Sequence, residues 1–202
     1  TLLSYIPDIC MKKLHGISPI VTFIRVAVIA LPLWGLAGIS HAQINTDHMM
    51  NIGRNALAYD DYVLSISYFN LVINYKPHLY EPYFYRGVAK FYLDDYSGAA
   101  LDCTQAIQRN PYFPNTYELR GLAYINMNRF PDAIRDYRTV TDMLPENRSL
   151  WHNLALCYIE TDSLDQADSI TDIIIRRWAK QADGYTLKAQ VFLQRNDTAA
   201  AE

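Results

Sequence analysis

Charge of one sign, cysteine and long apolar runs are all scarce in this chain of 202 residues. Lysine and arginine number 18 against 21 acidic residues, a formal net charge of −3. That balance leaves no basic footprint for nucleic acid, and none is expected as a partner. Cys103 and Cys157 are the only cysteines beyond residue 42. This argues against a disulfide framework, and both read as small core residues rather than a bridge. The apolar run from Val26 to Ile39 is 14 residues long and carries Pro32 and Gly35, short of the roughly 20 residues needed to cross a bilayer.

Signs of chemistry are equally thin. His15 and His41 fall near the N-terminus, while His48, His78 and His152 are widely spaced. None has a cysteine or second histidine at metal-ligand spacing. A glycine-rich phosphate loop and a nucleophile motif are both missing. No metal, cofactor or catalytic residue is expected, and the chain is not read as an enzyme. Asp60-Asp61 and Asp94-Asp95 look like carboxylate pairs, but their equal spacing from the repeat boundaries places them in turns, where aspartate is common.

What the chain does have is a period. Pro77, Pro111 and Pro145 lie 34 residues apart, and the intervening sequence repeats at that interval. Such a period marks a row of similar units rather than one globular core. The units are 46–79, 80–113, 114–147 and 148–181, with a fifth beginning at 182. Their fourth position is large: Met49, Tyr83, Tyr117, Trp151, Tyr185. Their eighth is small: Gly53, Gly87, Gly121, Ala155, Ala189. The twentieth reads Ser65, Ala99, Ala133, Ala167, Ala201. Small residues at the eighth and twentieth positions let two helices approach closely. Proline then stops the second helix and turns the chain. The pattern predicts helices over 48–59 and 62–75, 82–93 and 96–109, 116–127 and 130–143, 150–161 and 164–178, then 184–194.

These residues resemble the tetratricopeptide repeat, and the stretch from Tyr83 through Gly87, Tyr96, Ala99 and Ala106 to Pro111 is the best copy. The resemblance covers 46–202 as four repeats plus a partial fifth. It implies an all-α fold, a right-handed solenoid of antiparallel helix pairs. It also implies a concave groove lined by the first helix of each unit, able to hold a protein or peptide partner. The groove positions are Arg54 in the first unit and Phe84, Val88 and Tyr92 in the second. The third gives Glu118, Leu122 and Asn126, and the fourth His152, Leu156 and Glu160. Val88, Leu122 and Leu156 share one register and can equally serve to pack neighbouring first helices. The lysine and asparagine set with which some relatives clamp a C-terminal carboxylate is missing.

One pair of positions is written twice. Arg86 and Arg120 stand at the seventh position, and Asp102 and Asp136 sixteen residues on. In the fourth unit the same places hold Leu154 and Ile170. Positions that switch together suggest contact, here ion pairs between the two helices of a unit; the other reading makes the arginines ligand anchors. If the pattern continues, Lys188 at the seventh position of the fifth unit calls for an acid two places beyond Glu202.

Residues 1–42 read as an address. Met11, the expected initiator, is followed by Lys12 and Lys13, then Arg25, the apolar run and Ser40-His41-Ala42. This order fits a secretory signal peptide cleaved after Ala42, with export to the periplasm and no membrane association after cleavage. The alternative is an uncleaved segment anchored in the inner membrane. The sequence as a whole points to an exported, non-catalytic interaction scaffold. Its rival is the N-terminal docking arm of a larger exported protein whose active domain follows residue 202.

Overall fold

The computed structural model describes residues 45–195. The targeting segment read at 1–42 and the fifth-unit Ala201 lie outside the described residues. Among the described residues the chain forms helices in antiparallel pairs: α1 Thr46–Ala58 and α2 Tyr62–Tyr75, then α3 Glu81–Tyr92 and α4 Tyr96–Arg109. They are followed by α5 Pro114–Asn126 and α6 Phe130–Met143, α7 Arg148–Glu160 and α8 Leu164–Arg177, and α9 Asp183–Gln194. Each helix packs on the next in sequence, and first helices of neighbouring units also touch, α1 with α3, α3 with α5 and α7 with α9. The result is an all-helical repeat solenoid.

The first helix of each unit starts one or two residues earlier than its period predicts, and Pro82 and Pro114 sit inside the first turn of α3 and α5. Proline there loses no hydrogen bond, since the first helical N–H groups have no intrahelical acceptor. The same helices stop on a left-handed residue: Asp60, Asp94, Asn128 and Asp162, with φ of 60°, 59°, 56° and 53°. Asp and Asn tolerate this conformation better than other side chains bearing a Cβ. The next N–H reaches back five residues, as from Asp61 to the Ala56 carbonyl at 2.8 Å and from Arg129 to Tyr124 at 2.8 Å. That bond closes a Schellman-type end. Asp61 and Asp95 then cap α2 and α4 by accepting from the Leu64 and Gly98 amides.

The second helices end without glycine. Lys76, Asn110 and Leu144 adopt extended-side backbones before proline, as steric conflict with the pyrrolidine ring demands. Trp178 takes a similar conformation, φ −127°, although alanine follows it. The turn is therefore held by more than proline. Tyr83 and Tyr117 each donate a hydroxyl hydrogen bond to the carbonyl of the preceding proline, 3.3 and 3.1 Å, and the Trp151 indole N–H does so at 2.9 Å. The large fourth position thus ties α3, α5 and α7 to the loop before each.

The core sits between the two helices of a unit and the first helix of the next. Ala99, Ala133 and Ala167 are fully buried, as are Val72, Ala106, Val140 and Ile174 seven residues further along each second helix. The eighth position answers the twenty-fourth. A Cβ on Gly53 would lie 2.7 Å from the Phe69 ring, and one on Gly121 2.9 Å from the Tyr137 ring. On Gly87 it would meet the Asp102 Cβ at 3.4 Å and the Cys103 sulfur at 3.5 Å, ordinary contact. Glycine is required where an aromatic faces it. Where Thr171 occupies the twenty-fourth position, Ala155 stands at the eighth, and both are buried.

Candidate functional site

The paired charges decide which charges are left free on the surface. Arg86 donates to Asp102 through Nε at 2.9 Å and Nη2 at 2.5 Å; Arg120 repeats this with Asp136 at 2.8 and 2.7 Å. Both aspartates are nearly buried, 3% and 4% exposed. Each arginine also donates its third nitrogen to the second helix of the preceding unit, Arg86 to Asn70 at 2.6 Å and Arg120 to Thr104 at 3.0 Å. A planar guanidinium here bonds two units at once, a structural role and not that of a free anchor. Burial pushes the Asp136 carboxyl up from its ordinary value, and the bonds from Arg120 act against that. Lys90 adds a second cation to Asp102 at 2.9 Å.

The fifth unit carries a lysine in the arginine's place. Lys188 already has partners, Asp168 at 2.5 Å and Asp172 at 2.8 Å, both on α8 of the preceding unit. Asp172 stands where Asn70 and Thr104 stand. Through these two acids Lys188 makes the inter-unit half of the arginine's bonding pattern.

A second pairing escaped the sequence reading. Arg109 lies over the Tyr83 ring, 4.0 Å from its centroid, and donates to the Pro77 carbonyl at 2.6 Å. Arg177 repeats this over Trp151 at 5.4 Å, donating to Pro145 at 2.7 Å. The thirtieth position carries arginine in two units out of four, a spacing visible in the chain once its partner positions are known.

The remaining first-helix surface is the candidate binding face. Arg54, Tyr92, Asn126 and Glu160 are exposed; Phe84, Val88, Glu118, Leu122, His152 and Leu156 are half-buried. The first helices bring them to one side, but not all are free. Phe84 meets Phe113 edge-on at 5.0 Å and Tyr85 at 5.3 Å. Leu156 packs on the core around Ala155 and Ile159. His152 Nδ1 is 3.8 Å from Asp183, which also takes Arg148 at 2.6 Å. Asn126 donates its amide to the Leu122 carbonyl of its own helix at 2.9 Å. Arg54 is held by Asn51 and lies 5.9 Å from the Tyr85 ring centroid.

Glu118 differs from these. Among the described residues it has no hydrogen bond or ion pair, and burial alone pushes its carboxyl up. On the neighbouring helix, Glu81 has a buried oxygen with no hydrogen-bond partner. Cys103 and Cys157 are free thiols buried in the core. Burial pushes the Cys157 thiol up to about 12, so it is not a nucleophile at neutral pH. Among the described residues no group of three histidine, cysteine, aspartate or glutamate side chains is placed to hold a metal, and no helix is long and apolar enough to cross a membrane.

No protein-family model matches the chain. Over 114 residues it is 29% identical to human anaphase-promoting complex subunit 7, covering 56% of this chain but 20% of that protein. The chain thus spans about a fifth of that relative's length. Among solved structures, it superimposes on residues 41 to the end of MamA from Desulfovibrio magneticus RS-1 with a TM-score of 0.71. That match has 15% identity and covers 77% of this chain and 88% of the other. It superimposes on YrrB, described as a TPR protein with an unusual peptide-binding site, with a TM-score of 0.73. Identity there is 10%, with 82% of this chain and 86% of YrrB covered. The described residues have the fold of a tetratricopeptide-repeat solenoid.

Proposed function

We propose that this chain is a non-catalytic interaction scaffold that holds a peptide or helix of a partner protein against the exposed side of its first helices. The observation that supports it most is the contrast in charge use. Arg86, Arg120 and Lys188 are spent on bonds within the solenoid, whereas Glu118 remains half-buried and unpaired beside apolar Leu122. A desolvated carboxylate without a partner costs stability unless something else uses it. Apolar anchors with sparse polar groups suit a laid-in segment. The peptide-binding site named for YrrB adds weight by likeness of fold.

The protein acts after export, on this reading, with residues 1–42 as its cleaved signal, the periplasm as its compartment and no lasting membrane contact. The second reading, a docking arm of a larger exported protein, is favoured by the small share of its curated relatives that the chain covers. Either way, partner co-purification from the native cell tests the face. Asn126→Arg and Glu160→Arg alter exposed first-helix positions and should abolish it. Gln108→Arg, exposed on α4, should leave it intact. Retention in all three variants contradicts the proposal.

A further inference from the structure

The edge formed by the first two helix–helix turns differs from the rest of the solenoid. Tyr62 and Tyr92 stack with centroids 5.2 Å apart and planes 9° from parallel. Tyr92 meets Phe91 at 6.1 Å, and Phe91 meets Tyr96 at 5.3 Å. The four rings form one continuous ledge across two units. At its ends the Tyr62 and Tyr96 hydroxyls donate to Asp60 at 2.7 Å and Asp94 at 2.6 Å. Among the described residues neither aspartate is in an ion pair, and the second oxygen of each accepts no hydrogen bond.

The fold does not require this ledge. The place of Tyr92 is taken by Ala58, Asn126 and Glu160 in the other units, and the helix pair forms in each. In the third turn Asn128 replaces the aspartate, and Arg129 and Arg135 pair with Asp132. Yet Tyr92 is 61% exposed, a large aromatic held in water by a stack it does not need for folding. An open ring face attracts a cation lying over it, and two carboxylates without counter-charge raise that preference and disfavour an anionic partner.

We propose that this ledge is the docking point for a lysine- or arginine-bearing segment of a partner protein, its basic side chain lying on the Tyr62–Tyr92 stack between Asp60 and Asp94. Since Tyr92 also borders the first-helix surface, the proposal rests on the groove reading and gives it a polarity: the partner's basic part lies over the first two units.

Asparagine already serves at this left-handed position as Asn128, φ 56°. Asp60→Asn with Asp94→Asn therefore removes charge without disturbing the turns. The probe is a displayed library of random 12-residue peptides, selected on the full chain and remeasured on variants. Enrichment of lysine or arginine is expected, with affinity falling about tenfold in the double asparagine variant and about as much in Tyr92→Ala. Enriched peptides without basic residues, or basic ones indifferent to these variants, overturn the ledge. The groove reading survives that result if Asn126→Arg still abolishes binding, and falls with it if Asn126→Arg does not. A library that yields no binder counts against the ledge as well.

Discussion

The first two units and the later ones share a scaffold and differ in how far their outer charges are answered; in the first two, Lys76 with Asp47 is the outer pair among the described residues. From α5 onward the outer charges are mostly answered within the chain: Arg129 and Arg135 by Asp132, Arg148 by Asp183, Arg177 by Glu146, and Arg195 by Asp165. Before α5, α2 carries no charged residue at all. Its Val63, Leu64, Leu71 and Tyr75 are exposed, and the four turn aspartates 60, 61, 94 and 95 have no cationic partner among the described residues. The lesson is that the repeat dictates only the inward positions and the turn. The outer surface varies from unit to unit, and that variation is where a partner would be recognised.

The largest effect should come from the buried pairs that both halves share. Asp136→Ala leaves Arg120 uncompensated, and an unfolding titration should show a loss of about 3 kcal/mol. Arg120→Leu together with Asp136→Ile copies Leu154 and Ile170 of the fourth unit and should return stability to within about 1 kcal/mol of wild type. If the apolar pair does no better than the single variant, the two positions are not interchangeable in the way the repeat suggests. Asp102→Ala should cost at least as much as Asp136→Ala, since Asp102 answers both Arg86 and Lys90.

Next are the glycines. Gly121→Ala drives a methyl into the Tyr137 ring and should destabilise by about 2 kcal/mol. Gly87→Ala has room and should stabilise α3 by about 0.5 kcal/mol. Equal effects would mean that the volume exchange between the eighth and twenty-fourth positions is not what fixes glycine here.

A smaller change is expected from the clamps at the repeat junctions. Arg109→Ala and Arg177→Ala each remove a ring contact and a bond to a proline carbonyl, and each should cost about 1 kcal/mol. The melting temperature of each variant reads this directly.

Much of this was legible in the sequence. The period, the four helix pairs, the turns at Asp60, Asp94, Asn128 and Asp162 and the Arg–Asp partners all follow from residues recurring at fixed spacing. Three things did not. Exact helix starts were hidden because the period records packing positions inside each helix and not its first residue. The contacts of Lys188 with Asp168 and Asp172 were not foreseen, because the Arg–Asp spacing points within a unit whereas these acids lie on the preceding one. The Arg109 and Arg177 clamps were missed because arginine recurs at the thirtieth position in only two units and one acceptor of each is a backbone carbonyl. As for the binding face, spacing assigned residues to the correct helices but could not show that Phe84 is wedged against Phe113 or that Asn126 bonds its own helix.

The smallest expected effect concerns Glu118. Burial raises its folded carboxyl above the ordinary value, so the charged form carries a penalty that is present at neutral pH and lifts as pH falls through the folded value. Glu118→Gln should therefore be slightly more stable than wild type at pH 7, by a few tenths of a kcal/mol at about half burial. The two should converge in acid, once both folded and unfolded carboxyls are protonated. The same variant should bind the partner less well, which would separate a residue kept for recognition from one kept for folding.

The most direct test of the whole account is a pair of photo-crosslinking residues in the full-length protein in its own cell, one replacing Tyr92 and one replacing Gln108 on α4. A discrete protein should attach at Tyr92 and none at Gln108. Attachment at Gln108 alone would contradict it, because the partner would then lie on the second helices and not on the first.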